Sequence, residues 1–251
     1  MKRVVIVLLL VISSIACSNQ STTKLTIATA ANMQYVIVAL EKEFEDATGT
    51  EVEIILGSSG KLTSQIIAGA PYDLFLSADS KYPQKLFEEG LANHAPQIYA
   101  YGRLVVWTSF DSAQIIANEK DWANTKIAVA NPKTAPYGRA SMDFMNSQPP
   151  SQFFKDKFVY GESISQVNQF LLSGAADIGF TSKSSVLSGP FKGRGLWNEI
   201  PTTDYEPIIQ SMVILNERPE MQSAAQVFFD FILSPRGQEI LNNFGYSSTV
   251  N

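Results

Sequence analysis

Four short segments of the 251-residue chain gather hydroxyl, amide and glycine residues where an apolar run gives way to a helical pattern. They are Thr29-Ala30-Ala31-Asn32, Gly57-Ser58-Ser59-Gly60, Ala135-Pro136-Tyr137-Gly138 and Glu162-Ser163-Ile164-Ser165. The chemistry available there is hydrogen-bond donation without charge. The first N–H groups of a helix have no intrahelical acceptor and carry partial positive charge. Several helix starts aimed at one point can therefore hold an oxyanion with no Lys or Arg. A charge-assisted hydrogen bond contributes roughly 1.5–3 kcal/mol, so a handful can offset the desolvation of a dianion. Such residues also serve as plain caps and turn formers, and only their convergence in space separates the two roles.

Other reactive groups have weaker settings. Ser58-Ser59-Gly60-Lys61 fits the Ser-x-x-Lys pattern of serine acyl-enzymes, which makes Ser58 and Lys61 an alternative of a different class. No Ser-Asp-Asn accompanies it, and Lys133-Thr134 is followed by Ala135 where Lys-Thr-Gly needs glycine. His94, the sole histidine, lies in a polar loop without a Gly-x-Ser-x-Gly partner motif, so it reads as a surface residue. One His and one Cys exclude a His/Cys metal cluster and a disulfide framework. Arg139 follows the Tyr137-Gly138 turn. Its charge opposes the dipole of the helix start there, so a nearby anion would account for it. Glu88-Glu89 reads as a solvated helix turn, and Lys192 to Gly195 as a solvated connection.

These turns need elements to hold them. Leu25 to Ala28, Glu51 to Leu56 and Leu74 to Leu76 read as strands, alternating with helices at Met33 to Ala47, Leu62 to Ala68 and Tyr82 to Gly90. Asn32 is a candidate N-cap for the first helix. After a strand at 103–107 the plan repeats: strands at Lys126 to Val129, Phe158 to Tyr160 and Asp177 to Phe180, with helices from about Arg139 to Met145 and Ser163 to Leu172. A strand within Pro207 to Leu215 and helices at Glu220 to Leu233 and Pro235 to Phe244 close the chain. Alternating strands and helices predict an α/β fold with largely parallel sheets, whose ligands sit beyond the carboxyl ends of the strands.

Composition sets bounds. With 45% hydrophobic and 17% charged residues the chain can build a core. A net charge of −5 argues against nucleic acid as a partner. Lys2-Arg3, the apolar run Val4 to Ile12 and the small residues up to Ala16 read as a signal peptide over 1–16, too short to span a membrane. The only Cys, Cys17, sits just after Ala16. This segment resembles a bacterial lipoprotein signal, in which Cys17 is acylated and becomes the new N-terminus. Residues 17–23 then form a polar tether, and the mature protein is exported and anchored to a bacterial membrane, facing periplasm or cell exterior.

The turns also carry a family resemblance. Ala28 to Asn32, Gly57 to Gly60, the stretch Gly69-Ala70-Pro71-Tyr72-Asp73-Leu74-Phe75-Leu76-Ser77-Ala78-Asp79, Asn131-Pro132 with Ala135 to Gly138, and Gly174 to Phe180 resemble, in order, the periplasmic molybdate-binding proteins of ABC transporters. The resemblance spans about residues 24–246. It implies a class II solute-binding fold, with lobe one at 24–101 plus 211–251, lobe two at 102–210, and crossings near Gly102 and Gln210. Carried over position by position, it implies ligand contacts at Asn32 (preceded by Ala31), Ser59, Tyr137 and Ile164, the last two through backbone N–H. Ser182 stands where many members carry a Tyr and is too short to reach as Tyr does. The implied ligand is molybdate or tungstate, with molybdenum present only as the oxyanion and bonded to no protein atom. No cofactor and no catalysis are implied, and the partners are a permease and an ATPase, with the protein a monomer.

Molybdate is a fully ionised tetrahedral dianion near neutral pH and only accepts hydrogen bonds, which suits neutral donors. Phosphate keeps a proton and rewards a carboxylate acceptor, and only Glu162 offers one. Sulfate, thiosulfate or phosphate in the same fold are the alternatives, and of these sulfate and thiosulfate also carry no proton.

Overall fold

The protein is described from a computed structural model covering residues 24–109, 125–147 and 156–249. The signal segment, Cys17 and Trp122 lie outside the described residues. Two five-stranded sheets make up the architecture. The first has the order β2-β1-β3-β10-β4, from Leu25–Ala30 (β1), Val52–Gly57 (β2), Leu74–Ser77 (β3), Gln97–Gly102 (β4) and Ile208–Ile214 (β10). The second has the order β7-β6-β8-β5-β9, from Leu104–Thr108 (β5), Ile127–Ala130 (β6), Phe158–Gly161 (β7), Ile178–Ser182 (β8) and Leu196–Glu199 (β9).

The two orders are equivalent, so the repeated plan is a repeated topology. In each sheet one strand runs against the rest: β10 is antiparallel to both β3 and β4, and β5 to both β8 and β9. Each is the strand that arrives from the other sheet. Only Arg103 separates β4 from β5, and Gly102 at the end of β4 pairs with Ile208 at the start of β10. Both crossings thus lie side by side. Gln210, expected at the second crossing, stands inside β10, two residues beyond its start.

Helices cover both faces, which is why β1 is buried along its whole length. Helix α1 (Val36–Thr48) buries Val36, Ile37, Leu40 and Phe44, the stripe its spacing predicts. Phe44 meets Phe228 of α7 (Gln222–Leu233) edge-on at 4.7 Å, and α8 (Pro235–Asn243) adds Ile240 and Leu241 to the same core. The C-terminal helices therefore belong to the first sheet's layer. The remaining helices are α2 (Ser59–Ile67), α3 (Lys81–Glu88), α4 (Pro136–Ser147), α5 (Ile164–Ser173) and the single turn α6 (Lys183–Val186). No described helix is long and apolar enough to cross a membrane.

Several boundaries differ from the sequence reading. Helix α2 opens at Ser59 rather than Leu62, and α4 at Pro136 rather than Arg139. Ser58 and Pro136 stand at the N-cap and first helical positions, which their types favour, so these helices begin inside the turns. Asn32 is not a cap. It sits in a 3₁₀ turn, Ala31–Met33, and α1 starts later, after Tyr35. Strand β9 follows the Lys192 to Gly195 connection, where the sequence reading places no element, and among the described residues it pairs with β5.

Candidate functional site

Parallel pairing brings the turns together. Ala30 is level with Gly57 where β1 and β2 end, and Ala130 is level with Gly161 where β6 and β7 end. Each pair of strands releases its two turns on the same edge of its sheet, and the two edges face one another. Between them lies a small cavity. Ala31, Asn32, Ser58 and Ser59 line it from the first sheet, and Ala135, Pro136, Tyr137 and Ile164 from the second, with Ala30 and Ala78.

No charged side chain is among these residues, and all are buried. Three helices begin at the cavity, with Ser59, Tyr137 and Ile164 in their first turns, where N–H groups have no intrahelical acceptor. Ser163 and Ser58 precede α5 and α2 in extended conformation without capping them by their side chains. The N–H groups there stay free of side-chain caps. The Ser59 hydroxyl accepts the Ala78 N–H at 3.0 Å, which leaves its own hydrogen to donate. The Ser58 hydroxyl is buried with no partner among the described residues. A buried, unpaired donor costs free energy unless a ligand accepts from it.

Asn32 turns its side chain away from this task. Its Nδ2 donates to Gln210 Oε1 and to the Tyr246 hydroxyl, each at 2.9 Å, and Tyr246 donates back to the Asn32 carbonyl at 3.0 Å. What Asn32 can offer the cavity is its backbone N–H. Burial pushes the Tyr137 and Tyr246 hydroxyls well above the usual tyrosine range, so both stay neutral.

Contacts between the sheets ring the cavity. Gly60 N–H donates to Thr134 O at 2.9 Å, and the Tyr82 hydroxyl to Lys133 O at 3.1 Å. Lys61 Nζ meets Glu162 Oε1 at 2.6 Å, Arg139 pairs with Asp79, and Ser165 bonds Gln34. The two ion pairs have opposite polarity: the first sheet's layer supplies the cation in one and the anion in the other. The lobes are in contact over the cavity, as in a closed clamp.

Other candidates fall elsewhere. Arg139 faces Asp79 and lies 5.7 Å over the Tyr82 ring, walling a neighbouring, larger cavity, and is not among the residues lining the small one. Ser182 caps α6 by accepting the Ser185 N–H at 3.2 Å and reaches the Asn32 carbonyl at 3.5 Å, outside the cavity lining. Lys61, paired with Glu162, is engaged away from the role of a base for Ser58. His94 is exposed and meets the Phe229 ring edge-on. The described residues hold no cluster of ligands suited to a metal ion. Sequence reasoning did not single out Ser58 as a lining residue, gave Gln210 only as a crossing, and missed Tyr246; Gln210 and Tyr246 meet Asn32 from 178 and 214 residues away.

Two α/β lobes, two adjacent crossings and opposed helix starts over a small neutral cavity define a solute-binding protein of the clamp type. The chain matches the model for bacterial extracellular solute-binding proteins over residues 25–247. It is 35% identical over 239 residues to the molybdate-binding protein of Azotobacter vinelandii, with 92% of each chain covered. It is 34% identical over 225 residues to that of Rhodobacter capsulatus, covering 87% of this chain and 86% of the relative. The solved A. vinelandii periplasmic molybdate-binding protein superposes with a TM-score of 0.82 at 31% identity, over 90% of this chain and 100% of that one. The chain belongs to the family of bacterial extracellular solute-binding proteins in which these molybdate-binding proteins stand.

Proposed function

We propose that this protein captures molybdate or tungstate between its two lobes and delivers it, chemically unchanged, to the permease and ATPase of an ABC transporter. Backbone N–H groups of Ala31, Asn32, Ser59, Tyr137 and Ile164, with the Ser58 and Ser59 hydroxyls, donate to the four oxygens. The halves hinge where Gly102 pairs with Ile208, and the anion holds them closed because only the closed form presents both sets of donors. Cys17, acylated after removal of residues 1–16, tethers the protein to the membrane through the polar segment 17–23.

The observation that carries this reading is the cavity lined from both lobes by neutral donors and by no charged group. A proton-free dianion needs donors only. Phosphate would need an acceptor for its proton, and the carboxylates that ring the cavity, Glu162 and Asp79, are taken by Lys61 and Arg139. The identity to molybdate-binding relatives over nearly the whole chain supports the same ligand.

Equilibrium dialysis against molybdate, tungstate, sulfate and phosphate, followed by elemental analysis of the protein, tests it. One molybdenum or tungsten atom retained per chain after exhaustive dialysis is expected. Retention of sulfate or phosphate in its place would contradict the proposal.

A further inference from the structure

Asn32 is an unusual residue to find spent on hydrogen bonds that point away from the cavity. Both of its side-chain N–H groups run to the back of the turn, one of them to Gln210. Gln210 is wholly buried and stands at the point where the β4–β10 register shifts. Its Oε1 accepts from Asn32 at 2.9 Å and its Nε2 donates to Ile208 O at 3.3 Å. Ile208 is the residue paired with Gly102 at the crossings. One side chain thus joins the hinge pair to the first-lobe turn.

The second lobe reaches the same place. The buried Tyr137 hydroxyl packs against Gly102, where an added Cβ would lie 2.2 Å from the Tyr137 oxygen and 3.0 Å from Gln210 Nε2. Gly102 therefore has no room for a side chain, and Tyr137 and Gln210 close on it together. Asn32 and Tyr137 belong to opposite lobes, and both line the cavity while their side chains meet the hinge beside Gln210.

We infer that Gln210 is a positioning residue: through Asn32, and beside Tyr137, it fixes how closely the two opposed backbone donors approach on closure, and so selects the size of the oxyanion. This rests on the molybdate reading. Neutral donors bind sulfate and molybdate by the same bonds, so preference between them has to come from spacing. The buried hydrogen bonds that tie Gln210 to Asn32 and to Ile208 hold this spacing better than apolar packing would.

Calorimetric titration of sodium molybdate and sodium sulfate into wild type, Gln210→Met, Gln210→Leu and Asn32→Ala tests the role, with melting curves of the anion-free proteins alongside. Each variant keeps every backbone donor. Gln210→Met, the gentler change in shape, is expected to lower molybdate affinity about tenfold. Sulfate affinity should change much less, so that the preference narrows. Combining Gln210→Met with Asn32→Ala should cost less than the product of the single effects, because both remove the same bond.

Equal losses for the two anions, multiplicative effects in the double variant, or a lower melting temperature with both affinities intact would each overturn the role. A wild-type protein that takes up neither anion sinks the molybdate reading and this role with it. Wild type behaving as proposed beside variants of unchanged preference sinks this role alone.

Discussion

Gly60 donates its backbone N–H to the carbonyl oxygen of Thr134 across the cleft, at 2.9 Å. Gly60 lies in the first turn of α2 in one lobe, and Thr134 in the turn before α4 of the other. Backbone meets backbone there because Gly60 has no side chain. A Cβ at this position would lie 2.5 Å from the Tyr82 hydroxyl and 3.0 Å from Thr134 Cα.

Gly60→Ala is therefore expected to act in opposite senses on folding and on binding. Alanine in a helix favours the folded chain by up to about 1 kcal/mol over glycine, so the anion-free melting temperature should hold or rise. Closure is obstructed, and molybdate should bind at least about tenfold more weakly. Thermal melts with and without molybdate check both halves. A variant that binds as wild type does would show that the lobes need not come this close.

The two adjacent serines separate binding from stability. Ser58→Ala removes a hydroxyl with no partner among the described residues, so the anion-free protein should lose no stability. Molybdate affinity should fall by roughly 1.5–3 kcal/mol, about tenfold to a hundredfold. Ser59→Ala should cost binding to a similar extent and also lower stability by about 1–3 kcal/mol, because the Ala78 N–H loses its buried acceptor. Denaturant unfolding and calorimetry on both variants give the four numbers. Loss of stability at Ser58 with affinity intact would make it a structural residue.

These turns were legible in the sequence because their function demands small, polar and helix-starting residues at strand ends. The extents of the helices were not. Gly57 to Gly60 and Ala135 to Gly138 read as turns ahead of the helices, although Ser58 and Pro136 occupy the start positions that suit them. Asn32 shows a different limit. Its local pattern fits a cap, but its partners come from 178 and 214 residues away and outcompete the local geometry. Strand β9 was missed because its pairing with β5 spans the second lobe, and Leu196 to Glu199 carries little apolar periodicity.

Dependence on pH follows from the neutral lining. With no charged side chain in the cavity, molybdate affinity should stay level between about pH 6 and pH 9. Stability should not stay level at higher pH. Burial raises the hydroxyls of Tyr99, Tyr137 and Tyr246 above their ordinary value. The folded state then holds these protons when the unfolded chain releases them. The stability this gives is complete below about pH 10, the ordinary tyrosine value, and is lost as pH climbs above it. Melting temperatures across pH 7 to pH 11.5 should show a plateau and then a steep fall. A plateau that persists throughout would contradict the burial of these groups.

The anchor is tested in cells of the host. Cys17→Ser should move the protein from the membrane fraction to the soluble extracytoplasmic fraction, with molybdate binding by the purified protein unchanged. A variant that stays with the membrane would rule out acylation at Cys17 as the tether.

The central claim is that opposed neutral donors recognise a large, proton-free tetrahedral dianion. A competition titration measures it most directly, with sulfate loaded first and molybdate or tungstate added by calorimetry at fixed ionic strength. Molybdate and tungstate should displace sulfate with an affinity at least ~100-fold higher, about 2.7 kcal/mol. Equal affinities, or sulfate bound more tightly, would contradict the account.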